Sequence, residues 1–305
     1  MRYTFPAATL IVLIFILQSC VKEGIQVCEE SSVTIKIIDA ITGEDITTTG
    51  VVDEAELYIF DKDQRYLNKI NVTSKEITQR TPIVVSSNNE DNLWIAIWGN
   101  RKGEIIRNLQ HQSWLKDAGL YLPTNTDSYY KAPNDLFFGL QELNAAVTRA
   151  TASNEITITR KVARMLITVR GLPAGANADD YYFVIDEINT AYNFHGIPME
   201  GAGAMKQTGI FKKNNDLVNP EPFNLISSAY PNNKPLTVSL YGKDRSGEDY
   251  LLVTVNKDKE GNLITPVAAQ TTHVLIELHP GPGLGSISVF IKTTPWNEIY
   301  QWIEW

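Results

Sequence analysis

Cysteine is nearly missing from this chain, with two in 305 residues, too few for the disulfide framework that stabilises small secreted domains. Histidine is almost as scarce. Its four copies fall in no HExxH or paired spacing, so neither a metal centre nor any other cofactor site is expected. Blocks of like charge are also lacking. Twenty-seven Lys and Arg against thirty-five Asp and Glu give a net charge of −8, which denies nucleic acid the basic stripe that phosphate binding requires. There is no Gly-x-Ser-x-Gly elbow for a nucleophilic serine and no fixed-period repeat. The 43% hydrophobic and 20% charged composition excludes disorder and collagen, and the length favours two domains over one.

One long apolar run is present, at the start. Arg2 supplies a basic residue, and Phe5 to Leu17 is almost wholly apolar before Gln18 and Ser19. This reads as a secretory signal over residues 1–19, too short to span a bilayer comfortably. Leu17-Gln18-Ser19-Cys20 resembles the bacterial lipoprotein box, in which the cysteine thiol takes a diacylglyceryl group. Each buried methylene contributes about 0.8 kcal/mol, and two or three acyl chains hold a protein on a membrane. Cys20 is then occupied, which leaves Cys28 as a lone thiol. Residues 20–32 show no apolar period and read as a tether. Within it, Lys22-Glu23 is weakly similar to the signal that sends Bacteroidia lipoproteins to the outer face of the outer membrane.

Beyond the tether, apolar and polar residues alternate with period two in Val33 to Ile37, Ala55 to Phe60 and Leu93 to Trp98, the mark of half-buried strands. The same holds for Glu155 to Thr159, Val162 to Arg170, Tyr181 to Ile188, Pro235 to Tyr241, Tyr250 to Val255, Thr272 to Leu278 and Ser286 to Lys292. Many short strands with turn material between them indicate an all-β chain of antiparallel sandwiches. The spacing of Ile105, Ile106, Leu109, Trp114 and Leu115 predicts a short helical insertion over Glu104 to Ala118, stopped by Gly119. Ala, Thr and Ser enrichment at Asn144 to Asn154 divides an N-terminal sandwich, 33–150, from a C-terminal one, 155–305.

Candidate chemical sites each have a plainer explanation. Gly281-Pro-Gly283-Leu-Gly285 has the glycine density of a phosphate loop, but its prolines delete N–H donors and a strand follows, so it reads as a hairpin turn. Asp61-Lys62-Asp63 lacks the glycine and distal glutamate of a calcium loop and reads as a solvated turn. Asp179-Asp180 and Asp186-Glu187 would serve a glycosidase only if a cleft brought two of them together. Catalysis is not expected. The six Trp and thirteen Tyr could form a sugar-stacking platform, although aromatics on sandwich strands are more often core.

The C-terminus is the most informative stretch, because chain ends are normally polar and frayed. Here Trp296, Ile299, Tyr300, Trp302, Ile303 and Trp305 carry apolar character to the last residue. A final strand buried in its own sandwich would explain it. So would a strand that completes a sheet in another subunit, where main-chain bonding gives affinity and side-chain pockets give register.

The order of several segments resembles the FimB-like minor fimbrillins, the anchor subunits of Bacteroidia type V fimbriae. They are Cys20 with its tether, Val52 to Asp61, Leu93 to Asn100, Asp135-Leu136-Phe137-Phe138-Gly139, Arg160 to Leu172, Pro222 to Leu225 and Pro235 to Tyr241. The resemblance implies two transthyretin-like β-sandwiches and a lipid-anchored subunit on the outer membrane, with fimbrial pilins as partners. It further implies that Val33 to Ile38 is a retained first strand and Trp296 to Trp305 a strand donated to a pilin. A tip or accessory fimbrillin is the nearest alternative, and a surface glycan-binding lipoprotein is the alternative from another class.

Overall fold

The computed structural model describes residues 30–86, 92–144, 154–228, 235–279, 285–298 and 300–302. Residues 1–19, expected above to be a secretory signal, and Cys20 and Cys28 lie outside the described residues. In the first half, strands β1 (Glu30–Ile38), β2 (Glu54–Phe60), β3 (Tyr66–Thr73), β4 (Ile83–Ser86), β5 (Asn92–Gly99), β6 (Ile105–Arg107), β7 (Gly119–Tyr121), β8 (Phe137–Asn144) and β9 (Asn154–Arg160) follow one another. One five-residue helix, α1 (Ser74–Thr78), sits between β3 and β4. Thr73 caps it by accepting from the Glu76 N–H while the Glu76 carboxylate accepts from the Thr73 N–H, a reciprocal capping box.

Seven of these strands form one sheet in the order β3-β2-β5-β8-β9-β1-β4. β8 and β9 pair only through Phe137–Arg160 and Phe138–Thr159, so the sheet folds over at that corner and becomes a sandwich. The two layers meet across Val33, Ile35, Ile37, Ile156 and Ile158 on one side and Leu57, Ile59, Leu93 and Ile95 on the other, all in one buried cluster. Gly139 makes the corner possible. A Cβ there would lie 2.2 Å from the Thr157 carbonyl oxygen.

The second half contains β10 (Val162–Arg170), β11 (Tyr181–Ile188), β12 (Ala191–Asn193), β13 (Pro198–Met199), β14 (Gly203–Thr208), β15 (Ile210–Phe211), β16 (Leu217–Val218), β17 (Phe223–Ile226), β18 (Thr237–Lys243), β19 (Asp249–Val255), β20 (Gln270–His279) and β21 (Ser286–Pro295). Sheet β15-β16-β10-β20-β21, with β17 also paired to β10, faces sheet β14-β11-β18-β19. Met165, Ile167, Val169, Phe183, Ile185, Val238, Leu240, Val274 and Ile276 are buried between them. Most pairs are antiparallel, but the first strand of each sandwich runs parallel to a late one, β1 with β9 and β10 with β20.

Two expectations are corrected. The strand at 154–160 pairs with β1 and β8, so it belongs to the first sheet, and the chain changes sheets at Lys161. Glu104 to Ala118 is not a helix: β6 pairs with β7, and the 3-10 turn Leu115–Asp117 precedes β7. Asn108 and Gln112 have positive φ, 59° and 68°, which no α-helix accommodates. Pairing across the chain wins here, because β7 also bonds β12 of the second half. The resulting sheet β13-β12-β7-β6 draws strands from both halves. Leu115, Leu120, Tyr192 and Phe194 share a buried cluster with Tyr58, Trp98 and Phe138 from the first sandwich, so the two sandwiches are packed into one body.

Candidate partner-binding surface at the terminal segment

The terminal segment leaves β21 at Pro295 and first meets the junction of the two sandwiches. Trp296 forms a turn there, is only 5% exposed, and donates its N–H to the Ala269 carbonyl at 3.1 Å. Its ring lies between two guanidinium groups, 4.3 Å from that of Arg160 and 3.7 Å from that of Arg164. Arg160 ends β9 in the first sandwich and Arg164 belongs to β10 in the second. Arg160 is itself fixed by Asp135 through two bonds of 2.6 and 2.9 Å. A desolvated cation over an indole face is worth roughly 1–2 kcal/mol, and here two act on one ring.

From this point the segment runs along the outer face of the second sandwich, in the direction of β10. Outward residues on that face include Leu166, Thr168 and Arg170 of β10, His273 and Leu275 of β20, and Phe290 of β21, brought side by side by the strand register. Tyr300 packs on His273 with ring centroids 5.1 Å apart. Trp302 stands 5.0 Å from Tyr300 at 90° and 6.4 Å from Phe290, and Arg170 Nη2 donates to its carbonyl at 3.3 Å. Burial pushes the His273 imidazole below its ordinary pKa, and its Nε2 shares a hydrogen bond with Thr294 Oγ1, 3.1 Å away.

Between this aromatic segment and the β15–β16 hairpin lies an open groove of about 730 Å³, within the size range of ligand sites. Arg170 contributes to its floor, but Asp216 and Glu277 already engage that guanidinium at 3.2 and 3.6 Å. Lys212 and Lys213 stand at the lip, exposed, and make no ion pair with another described residue.

The other residues singled out in the sequence are not brought together. Asp179 and Asp180 lie on the 3-10 turn before β11, whereas Asp186 and Glu187 lie toward its far end. The six residue steps of strand from Asp180 to Asp186 amount to roughly 20 Å, beyond the separation at which paired carboxylates cleave glycosides. Asp61 spends its carboxylate on the N–H groups of Asp63 and Arg65, at 2.9 and 2.8 Å. Residues 280–284 of the glycine-rich stretch lie outside the described residues, and the strands flanking it pair antiparallel from His279–Ser286 onward. No cluster of three potential metal ligands occurs among the described residues. Of the terminal aromatic residues, Trp296, Tyr300 and Trp302 are placed as above, and Ile299, Ile303 and Trp305 lie outside the described residues. The described part is turn and irregular chain rather than strand.

The profile of the fimbrillin-A associated anchor proteins Mfa1 and Mfa2 matches residues 26–302, most of the chain. The chain belongs to this family. The major fimbrium anchoring subunit FimB of Porphyromonas gingivalis is 23% identical over 298 residues, with 94% of this chain and 93% of the relative covered. In three dimensions the fimbrial anchor protein Mfa2 of the same species superposes with a TM-score of 0.60 at 12% identity, over 87% of this chain and 98% of that one. A Bacteroides ovatus protein described as a candidate adhesin gives 0.64 at 12% identity, over 88% and 97%. The family is named for anchoring, not for a reaction. Sequence reasoning had Trp296 in view but not its partners Arg160 and Arg164. The alternation of apolar residues that reveals a strand carries no information about what lies across a domain junction.

Proposed function

We propose that this protein is a lipid-anchored fimbrial anchor subunit. It is held in the outer membrane through acyl chains on Cys20, faces the cell exterior, and attaches a pilus by sharing its terminal segment with a pilin. The observation that carries the reading is the state of the first strand. β1 is hydrogen-bonded on both sides, to β4 and to β9, and Val33, Ile35 and Ile37 are 0–2% exposed. Among the described residues, the first-strand position of the first sandwich is therefore filled by the chain itself, as expected of a subunit at the base of a pilus.

Chain direction supports the rest. β1 starts at the end of β9 farthest from Lys161, since Val33 pairs Asn154, while the terminal segment advances from Arg164 toward Arg170 at the far end of β10. The tether and the terminal segment thus leave from opposite ends of the β9–β10 path, one for the membrane and one for a neighbour. Because Trp296 is locked at the junction, the shareable part begins at Asn297.

The test uses two variants in cells that make the pilin. Cys20→Ala should release pili into the medium still carrying this subunit. Deletion of residues 297–305 should leave a folded, membrane-bound protein that no longer captures the pilin. Pili that remain cell-bound in the first variant, or pilin capture at wild-type level in the second, would refute the lipid and the strand-sharing parts respectively.

A further inference from the structure

The groove beside the terminal segment pairs that segment's aromatic side chains with a basic lip that pilin attachment does not use. One wall is aromatic, with the Tyr300 and Trp302 rings perpendicular at 5.0 Å, an edge-to-face pair. The opposite lip carries two lysines whose charge is unspent among the described residues. Within the lining, Arg170, Lys212 and Lys213 stand against the single carboxylate of Asp216, and the chain as a whole carries a net charge of −8. An anionic ligand is repelled by most of this surface and focused where the sign reverses. An aromatic wall faced by cations selects a ligand with both an apolar ring face and a carboxylate. Sugars of the uronic type present both, with C–H groups for an indole face and a carboxylate at the ring edge.

We propose that this groove is a binding site for an acidic oligosaccharide. The sugar face packs on Trp302, and its carboxylates are met by Lys212 and Lys213. Arg170, already paired, holds the floor and the Trp302 carbonyl in place rather than serving as a free cation. The site stands apart from the attachment reading, but the two share Trp302, so they are coupled. A bound oligosaccharide stabilises the tucked segment, and sharing the segment with a pilin removes the aromatic wall. Linkage then requires that each ligand weaken the other.

The test uses the full mature chain without its lipid, titrated with trigalacturonate and followed by Trp fluorescence and calorimetry. Saturable binding is expected, at least about tenfold tighter than that of the neutral analogue of equal length. The double variant K212E/K213E is expected to lose about tenfold or more, with a reduced dependence on salt, and W302A to lose binding to a comparable extent. Unchanged affinity in K212E/K213E, or equal affinity for the neutral sugar, overturns the proposal. Equal or tighter binding of hexaglutamate, an acidic peptide without a sugar face, overturns the saccharide assignment. Pilin capture by K212E/K213E is measured in parallel and should persist. Saturable sugar binding by the wild-type chain alongside wild-type pilin capture after deletion of residues 297–305 would fail the attachment reading alone, which keeps the two failures distinguishable.

Discussion

Replacing Trp296 with Ala would remove a side chain of the terminal segment that touches both sandwiches. The indole is 5% exposed, so its deletion forfeits nearly all of its burial. Trp-to-Ala changes at such sites cost about 3–5 kcal/mol. The two guanidinium contacts, at 4.3 and 3.7 Å, place it toward the upper end, because Arg160 stays pinned by Asp135 and cannot follow the retreating surface. Trp296→Phe should recover roughly half, since it keeps a ring between the cations but loses area. Trp302→Ala should cost only about 1 kcal/mol, because that ring is half-exposed and rests on one face. Urea denaturation should rank the three in this order. Hydrogen exchange adds a local readout. The residue-296 N–H bonded to Ala269 should exchange about a hundredfold faster or more in W296A, the kinetic equivalent of 3 kcal/mol, while β1 and β9 of the first sandwich change far less. A loss below about 1 kcal/mol in W296A, or one no larger than in W302A, would refute the fixed point at Trp296 and with it the placement of the shareable segment after it.

Gly139→Ala should destabilise the first sandwich by about 2 kcal/mol or more, since the added methyl would meet the Thr157 carbonyl at 2.2 Å and backbone cannot swing aside. A wild-type melting temperature in that variant would show that the β8–β9 corner is drawn too tight. Glu56 gives a pH test. Burial pushes its carboxyl up, but bonds from Arg101, Lys69 and Tyr58 outweigh burial and hold it at about 2. A lowered folded pKa means that the stabilisation is complete above the ordinary value of 4.5 and is lost as pH falls toward 2, to the extent of about 3 kcal/mol. Urea midpoints measured between pH 6 and pH 2 should therefore fall less steeply in Glu56→Gln than in the wild type. Parallel slopes would exclude Glu56 as the group responsible.

Long strands that bury one face were legible in the sequence because burial enforces alternation: Val33, Ile35 and Ile37 in β1, or Met165, Ile167 and Val169 in β10. The strands that escaped are those whose identity comes from their partners. β12, β13, β15 and β16 are two or three residues long, shorter than any period can reveal. β3 points few residues into a core and shows only Val72 buried along its length. The false helix at Glu104 to Ala118 arose because its apolar residues satisfy a 3.6 period by coincidence. Leu115 is buried among aromatic residues of both halves, while Ile105 and Trp114 are 42% and 38% exposed. The true helix did leave a local signal, Thr73 followed by Glu76, which its five-residue length made easy to pass over. The groove was beyond reach, since Lys212 and Trp302 meet only after β10, β16 and β20 are in register.

β1 and the segment beyond Trp296 differ in what it costs to free them, a difference that supports the roles proposed for them. Extracting β1 would expose three aliphatic side chains that are now 0–2% exposed, at roughly 1.5–3 kcal/mol each, and would break ladders to β4 and β9 together. The sum rivals the 5–15 kcal/mol that holds a whole domain folded, so β1 leaves only if the first sandwich unfolds. Freeing the segment beyond Trp296 costs far less. Tyr300 and Trp302 are each half-buried, and the backbone bonds described there are a turn from the Glu298 N–H to the Pro295 carbonyl at 3.1 Å and the 3.3 Å contact from Arg170. A ladder of main-chain hydrogen bonds offered by a neighbouring sheet edge, at about 1 kcal/mol each, together with pockets for the aromatic side chains, exceeds that cost within a few residues. On the proposed reading, exchange is favoured at the C-terminal end and resisted at β1, as expected of a subunit that donates a strand while its own first-strand position stays filled.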